Sequence, residues 1–376
     1  MTTLGIPEAV LRCATEAAED LRAVAGIPVD AHEMLTGRAA LLGIAPSGRV
    51  SAGGATQLFR ALDGWCALTL SRDDDVAAVP ALVERDETPV DPWPSVRHWA
   101  STTPAETIVE RARLLDIPVA ALGETAAASP RLRPLDAVST PRPAATLLVA
   151  DLTSMWAGPL CGQLLVRAGA TVIKVESPSR PDGTRAGNRA FFDWMNGGKL
   201  SYAIDFDRDT HLLRALLSAA DLIIEGSRPD ALIRRGLGPS DVAPRPGRVW
   251  VRISGYGSRG DDGMRPAFGD DAAVAGGLVG WSGHEPRFCG DAIADPLTGL
   301  TAARVAFDAL ARGGGELIEI AMAEVAASYA GLPKIADAPR VASPPPTPLH
   351  AAHDLGADND TVARLLADSA DTHRDV

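Results

Sequence analysis

Cysteine, histidine and aromatic residues are scarce in this chain of 376 residues, and their scarcity narrows its chemistry. The four cysteines, Cys13, Cys66, Cys161 and Cys289, are scattered without metal-ligand spacing, and the seven histidines are equally dispersed, so no zinc or iron site is expected. In the absence of any secretory pattern, the cysteines read as free thiols in a reducing cytoplasm. No apolar run approaches the roughly eighteen residues of a membrane span. Met1 to Ile6 carries no basic n-region, so neither a signal peptide nor a membrane partner is expected. Positive charge is also short: 36 Lys and Arg stand against 48 Asp and Glu, and the net charge of −12 repels polyanions and argues against nucleic-acid binding.

What is present begins at residues 147–152, an apolar strand that runs into T-S-M-W-A-G-P and a helix ending at Gly169. A second strand, residues 171–176, follows at once, so the unit is strand, helix, strand and opens a parallel sheet. The first turn of that unit lacks the G-x-G-x-x-G spacing that admits a dinucleotide pyrophosphate, and the chain holds no G-x-x-x-x-G-K-[ST]. A Rossmann-type sheet of this kind needs another ligand.

The words along the stretch supply one. D-L-T-x-x-x-A-G-P, G-A-x-V-I-K-V-E, N-x-G-K-x-S-x-A-I-D-F, A-D-L-I-I-E-G-S-R-P, R-R-G-L-G, R-I-S-G-Y-G and A-D-P-L-T-G occur in order between Asp151 and Gly299. Together they resemble the class III CoA-transferase family, which includes formyl-CoA and carnitine CoA-transferases. The resemblance implies an α/β protein: a large domain with a Rossmann-like, mostly parallel sheet, and a smaller α+β domain. It also implies transfer of CoA from an acyl-CoA to a carboxylic acid, CoA and acyl-CoA serving as substrates with no permanently bound cofactor, and a homodimer.

By the same resemblance Asp295 occupies the position of the nucleophilic aspartate. The implied CoA contacts fall on Met155, Trp156, Ala157, Ile204, Gly226, Ser227, Arg228, Arg234, Arg235, Gly269 and Asp270. Elementary chemistry agrees for several of these. An ionised carboxylate can attack a thioester carbonyl directly, and in so acidic a chain the anionic CoA needs a local basic cluster, of which Arg228, Arg234 and Arg235 form the best. Other readings stay open: Asp295 as the N-cap of a helix over 296–311, the arginines as a solvated helix face, Trp156 as core. The glycine-rich stretches 276–283 and 51–54 read as loops that could cover a site from its two sides.

The order of parts departs from the family pattern. Residues 1–45 carry two helical patterns, at 6–24 and 31–42, without sheet signal. Residues 46–125 read as the small α+β domain, with a strand near 65–70, a helix at 104–115 and an extended piece at 117–122. A Pro-rich linker is expected at 126–145, and the large domain at 146–376. The small-domain-like segment thus precedes the catalytic stretch, as in a circular permutation; an unrelated helical module at 1–125 is the alternative. Two competing functions remain. One is an α-methylacyl-CoA racemase or epimerase, which resembles this family but pairs a histidine with an aspartate where this chain has Asp270. The other is an acyl-CoA-binding protein without turnover.

Overall fold

The computed structural model describes residues 4–86, 90–226, 228–332, 340–341 and 343–372. Its centre is a seven-stranded sheet in the order Arg131–Pro134, Glu316–Ala321, Val249–Ser254, Leu222–Glu225, Leu148–Leu152, Thr171–Glu176, Leu200–Ala203. Six strands are parallel, and among them the chain order is 3-2-1-4-5-6, the doubly wound arrangement. Helices cover both faces, so consecutive residues of one strand enter different cores. Val149, Val172, Ile224 and Val251 pack on one face. Their neighbours Ala150, Ile173, Ile223 and Trp250 pack on the other.

The segment expected as a linker contributes the seventh strand. Arg131–Pro134 pairs antiparallel with Glu316–Ala321, placing Pro134 opposite Glu316. Pro134 is tolerated because the strand is an outer edge, where a missing N–H costs no ladder bond.

The N-terminal helices are Glu8–Ala25 and Ala31–Leu42. Asp30 caps the second by accepting from the His32 and Glu33 amides at 2.8 and 3.3 Å, and both helices end at a left-handed glycine, Gly26 and Gly43. They are not a free module. Val10, Ala14 and Leu21 share a core with Leu297, Leu300 and Ala303 of the Ala294–Ala311 helix. Backbone bonds tie the segment to the loop before that helix: Gly290 N donates to Gly5 O, and Phe288 N to Gly48 O, each at 3.0 Å.

Thr56–Arg60, Trp65–Thr69 and Val119–Ala121 form a three-stranded antiparallel sheet, packed with helices between residues 73 and 114 around Phe59, Leu68, Val96 and Ile108. This α+β unit meets the large sheet's helices at Asp271. That carboxylate accepts from Thr69 Oγ1 at 3.0 Å and Tyr256 OH at 3.2 Å, while Tyr256 OH also lies 2.9 Å from the Val119 carbonyl. At the opposite sheet edge, Asn359 bonds both backbone groups of Ala203 at 2.9 Å, so the last helix covers a strand that would otherwise be bare.

Candidate active site

Strand Leu148–Leu152 pairs with Thr171–Glu176 on one side and Leu222–Glu225 on the other, and the strand order reverses there. In open α/β sheets, ligands lie in the crevice beyond the carboxyl ends at such a reversal. The loops leaving these two ends carry Met155 and Trp156 on one strand and Gly226 and Arg228 on the other. They touch: a Cβ added to Gly226 would stand 3.4 Å from Thr153 Cγ2. Met155 adopts φ 73°, and its amide lies 3.2 and 3.3 Å from the two carboxylate oxygens of Asp182. Trp156 is buried, edge-on to Phe191 with ring centres 5.5 Å apart, and Ala157 opens the Ala157–Arg167 helix.

Small residues bring a second helix against this turn. A Cβ on Gly299 would lie 2.7 Å from the Ala157 carbonyl oxygen, so only glycine lets the Ala294–Ala311 helix approach so closely. That helix starts before residue 296. Its N-cap is Ile293, and Asp295 is its second residue, so Asp295 is not the cap. The Asp295 carboxylate instead turns into the packing: backbone groups of Ala157 and Gly269 hydrogen-bond to it, and a Cβ on Gly269 would stand 2.3 Å from its Oδ2.

Around Asp295 negative charge outnumbers positive. Asp270 accepts from the Ala292 amide at 3.1 Å, and Asp291 accepts from Arg38 Nη1 at 2.5 Å. Burial, opposed by the Arg38 charge and by the Ala157 and Gly269 bonds, pushes Asp295 up to about 7. Asp270 also rises to about 7, first through burial and then through repulsion from Asp291, against the pull of Arg38. Asp291 is raised by burial despite Arg38, and its Oδ2 is buried without a partner among the described residues. Backbone strain gathers here too: of the four non-glycine residues with positive φ among those described, Met155 and Ala292 both flank this cluster.

The residues expected from the sequence are partly brought together. Met155, Trp156, Ala157, Gly269, Asp270 and Asp295 converge, and Gly226 and Arg228 sit across the crevice. Ser227 lies outside the described residues. Ile204 is elsewhere, buried in the core on the far face, its amide bonded to Glu176 O at 3.0 Å. The three arginines do not form one cluster. Arg228 is ion-paired with Asp116, just before strand Val119–Ala121, Arg235 holds Asp207 at 2.7 Å, and Arg234 is exposed without a polar partner among the described residues. Stretch 276–283 is a helix end followed by a hairpin, Gly280–Ser282 against Glu285–Arg287, rather than one loop. Loop 51–54 does reach the site, since a Cβ on Gly53 would stand 3.8 Å from Arg38 Nη2.

Sequence reasoning missed Arg38, Asp291 and Phe191. Asp291 lies four residues before Asp295 and is legible as a neighbour; Arg38 is 253 positions from its partner and carries no local signal. Two open clefts, of about 360 and 320 Å³, lie instead beside Arg265 and Glu124. They contain none of the clustered carboxylates, so the chemistry and not the volume marks the site.

The model of CoA-transferase family III matches residues 145–353, more than half of the chain. The chain belongs to CoA-transferase family III. Residues 1–144, which include Arg38, fall outside the family III match. A succinyl-CoA–D-citramalate CoA-transferase of Chloroflexus aurantiacus is 32% identical over 201 residues, covering 49% of this chain and 50% of that one. A succinate–glutarate CoA-transferase of Agrobacterium fabrum is 30% identical over 208 residues, covering 49% and 52%. A crystal structure of a CAIB/BAIF family protein from Brucella suis aligns with a TM-score of 0.46 at 32% identity, over 50% of this chain and 55% of that chain. The chain thus spans about half the length of the curated relatives it matches.

Proposed function

We propose that the protein transfers CoA from an acyl-CoA to a carboxylic acid by covalent catalysis at Asp295. The observation that carries this reading is a partly exposed carboxylate held by backbone groups of two facing elements, Ala157 and Gly269, at the sheet's reversal point in a family III chain. Asp295 attacks the thioester carbonyl and expels CoA thiolate, leaving an acyl–aspartyl anhydride. The thiolate attacks the aspartyl carbonyl and releases the donor acid, leaving an aspartyl–CoA thioester. The acceptor carboxylate then reverses both steps, so thioester energy is conserved without ATP.

With its ordinary pKa raised to about 7, Asp295 is only partly ionised at neutral pH, and the rate of the first step rises with pH through that range. Met155, Trp156, Ala157, Gly226, Ser227 and Arg228 are the proposed CoA contacts at the crevice, with Gly269 and Asp270 beside the thioester. Ile204, Arg234 and Arg235 belong to the proposal through the family resemblance alone. Relatives named for succinyl-CoA and small carboxylic acids make short acyl-CoAs the first donors to try. The test is mass spectrometry after incubation with acyl-CoA alone. A hydroxylamine-sensitive adduct on the Asp295 peptide is expected, and Asp295→Ala should cut turnover roughly 10⁴-fold; a mutant that still transfers CoA would sink the assignment.

One observation favours a second reading. Asp270 and Asp295 both titrate near neutrality, as the acid and base of an α-carbon racemase must. Exchange of the α-proton of a 2-methylacyl-CoA with deuterated water, without CoA scrambling, would select it. A homodimer in a cytoplasmic setting completes the proposal; the four free cysteines support a reducing compartment. The N-terminal position of the small domain is proposed as a rearrangement, and native mass spectrometry that finds a strict monomer would refute the dimer.

A further inference from the structure

Arg38 lies on the N-terminal Ala31–Leu42 helix, outside the family match, yet it is the cation that faces the acidic cluster. Three contacts hold its head group. Nη1 bonds Asp291 at 2.5 Å, and the guanidinium carbon lies 5.7 Å from the Trp156 ring centre and 5.6 Å from that of Phe191. The helix that bears it is anchored by the buried core it shares with the Asp295 helix. The elements packed around Asp295 present Asp291 from the preceding turn, Asp270 from the Gly269–Ala275 helix with Cys289 beside it, and Arg38 from the N-terminal helix. Three carboxylates, Asp291 buried and Asp270 and Asp295 partly so, crowd one guanidinium, and the position of that one charge biases which of them ionises.

We propose that Arg38 is a positioning residue that keeps Asp295 available as an anion, so that the N-terminal helical segment completes the active site. The Asp291 bond and the two aromatic rings aim the charge, and a guanidinium suits the place because it stacks and stays protonated where an ammonium would do neither as well. The inference rests on the nucleophile reading above, and it predicts a property of Asp295 that can be measured without turnover.

The test is an infrared pH titration of the full chain, taken as the difference from Asp295→Asn so that only this carboxyl contributes, run beside the pH dependence of adduct formation from acyl-CoA. Arg38→Ala is expected to move the loss of the protonated carboxyl band upward by about one pH unit or more, the size an adjacent opposite charge produces. Adduct formation should slow up to about tenfold at pH 6 and recover at alkaline pH. Guanidinium chloride at low concentration should restore part of the rate. Arg38→Lys should shift the midpoint less than Arg38→Ala. Arg38→Gln, which keeps a planar polar head over the rings, is read in the same way if the alanine variant does not fold. A folded variant without this charge whose Asp295 titrates as in the wild type overturns the proposal, whether or not adduct forms. A shifted midpoint in a protein that never forms adduct leaves Arg38 as the setter of the charge and overturns the transferase reading instead.

Discussion

Two groups of carboxylates lie by the Ala157–Arg167 helix, a buried one along its flank and one at its first turn in which Asp270 and Asp295 are partly exposed. Along the flank, near Gly162, Asp151 pairs with Lys199 at 2.8 Å; toward the Met155 turn Lys174 pairs with Asp182 at 2.8 Å, and Glu176 binds Arg185 at 2.6 Å. Every acid has its own cation and further bonds: Lys199 Nζ also donates to Pro159 O and Asn196 Oδ1, and Lys174 Nζ to Thr153 O. Burial alone would raise Asp151 and Asp182, but the lysines overcome it and both end below the ordinary carboxylate value. At the first turn, three acids share Arg38, and burial wins: Asp295 and Asp270 rise to about 7. Paired charge fixes the turn that carries Met155 to Ala157. Unbalanced charge leaves a carboxylate that is costly to ionise and correspondingly reactive.

The sharpest way to separate the two groups is to break each. Lys199→Ala strands a buried Asp151 and is expected to lower stability by about 3–5 kcal/mol in urea unfolding. Asp295→Ala should not lower stability, since it removes a carboxyl that folding makes costly to ionise, while turnover collapses. Equal stability losses in the two variants would erase the distinction.

Their pH responses should also oppose each other. For Asp270, Asp271 and Asp295, folded values near 7 lie above the unfolded value, so the stability they permit is full below about pH 4 and declines as pH rises to about 7. Asp151 and Asp182, with depressed folded values, contribute stability above about pH 4 that is lost on further acidification. Asp270→Asn should therefore stabilise the protein at pH 8 relative to pH 5, by on the order of 1–2 kcal/mol. An unchanged slope between those two pH values would count against the raised carboxyl.

A smaller effect tests the close packing that joins the groups. Gly299→Ala forces a Cβ against the Ala157 carbonyl and should cost about 1–3 kcal/mol, with slower adduct formation as the Asp295 helix is pushed back. Normal stability would mean that the helices have room to separate. Smallest of all in stability is Arg234→Ala, within about 0.5 kcal/mol since the side chain is exposed and unpaired among the described residues. Isothermal titration should still show weaker CoA binding, more so than for a dephosphorylated pantetheine thioester, and equal weakening of both would remove phosphate as its partner.

Much of the fold can be read from local pattern. The apolar runs at 147–152 and 171–176 and the glycine-ended helix between them give the parallel unit, and the helical patterns at 6–24 and 31–42 give two helices close to their observed bounds. Thr56–Arg60 escaped because T-Q-L-F-R has no alternation, and its character comes from pairing with Trp65–Thr69. Arg131–Pro134 escaped because prolines and arginines around it signal a linker, and only the free edge of Glu316–Ala321 makes it a strand. In the site, Asp295 and the 155–157 turn are legible because each lies in a quoted motif, and Asp270 because it stands where a related racemase carries its histidine. The dispersal of Arg228 and Arg235 into ion pairs with Asp116 and Asp207 is not, since their partners come from other elements.

The sequence by itself determined the strand–helix–strand periodicity, the glycines that permit tight turns and close crossings, and the carboxylate that can act as nucleophile, because these depend on residues a few positions apart. Tertiary structure alone decided that the N-terminal helices share the core of the Asp295 helix and that Arg38 meets Asp291 across 253 positions. Only the fold sets how many charges crowd one place and how much water reaches them. That number raises Asp295 to about 7 while Asp151, beside the same helix, stays ionised.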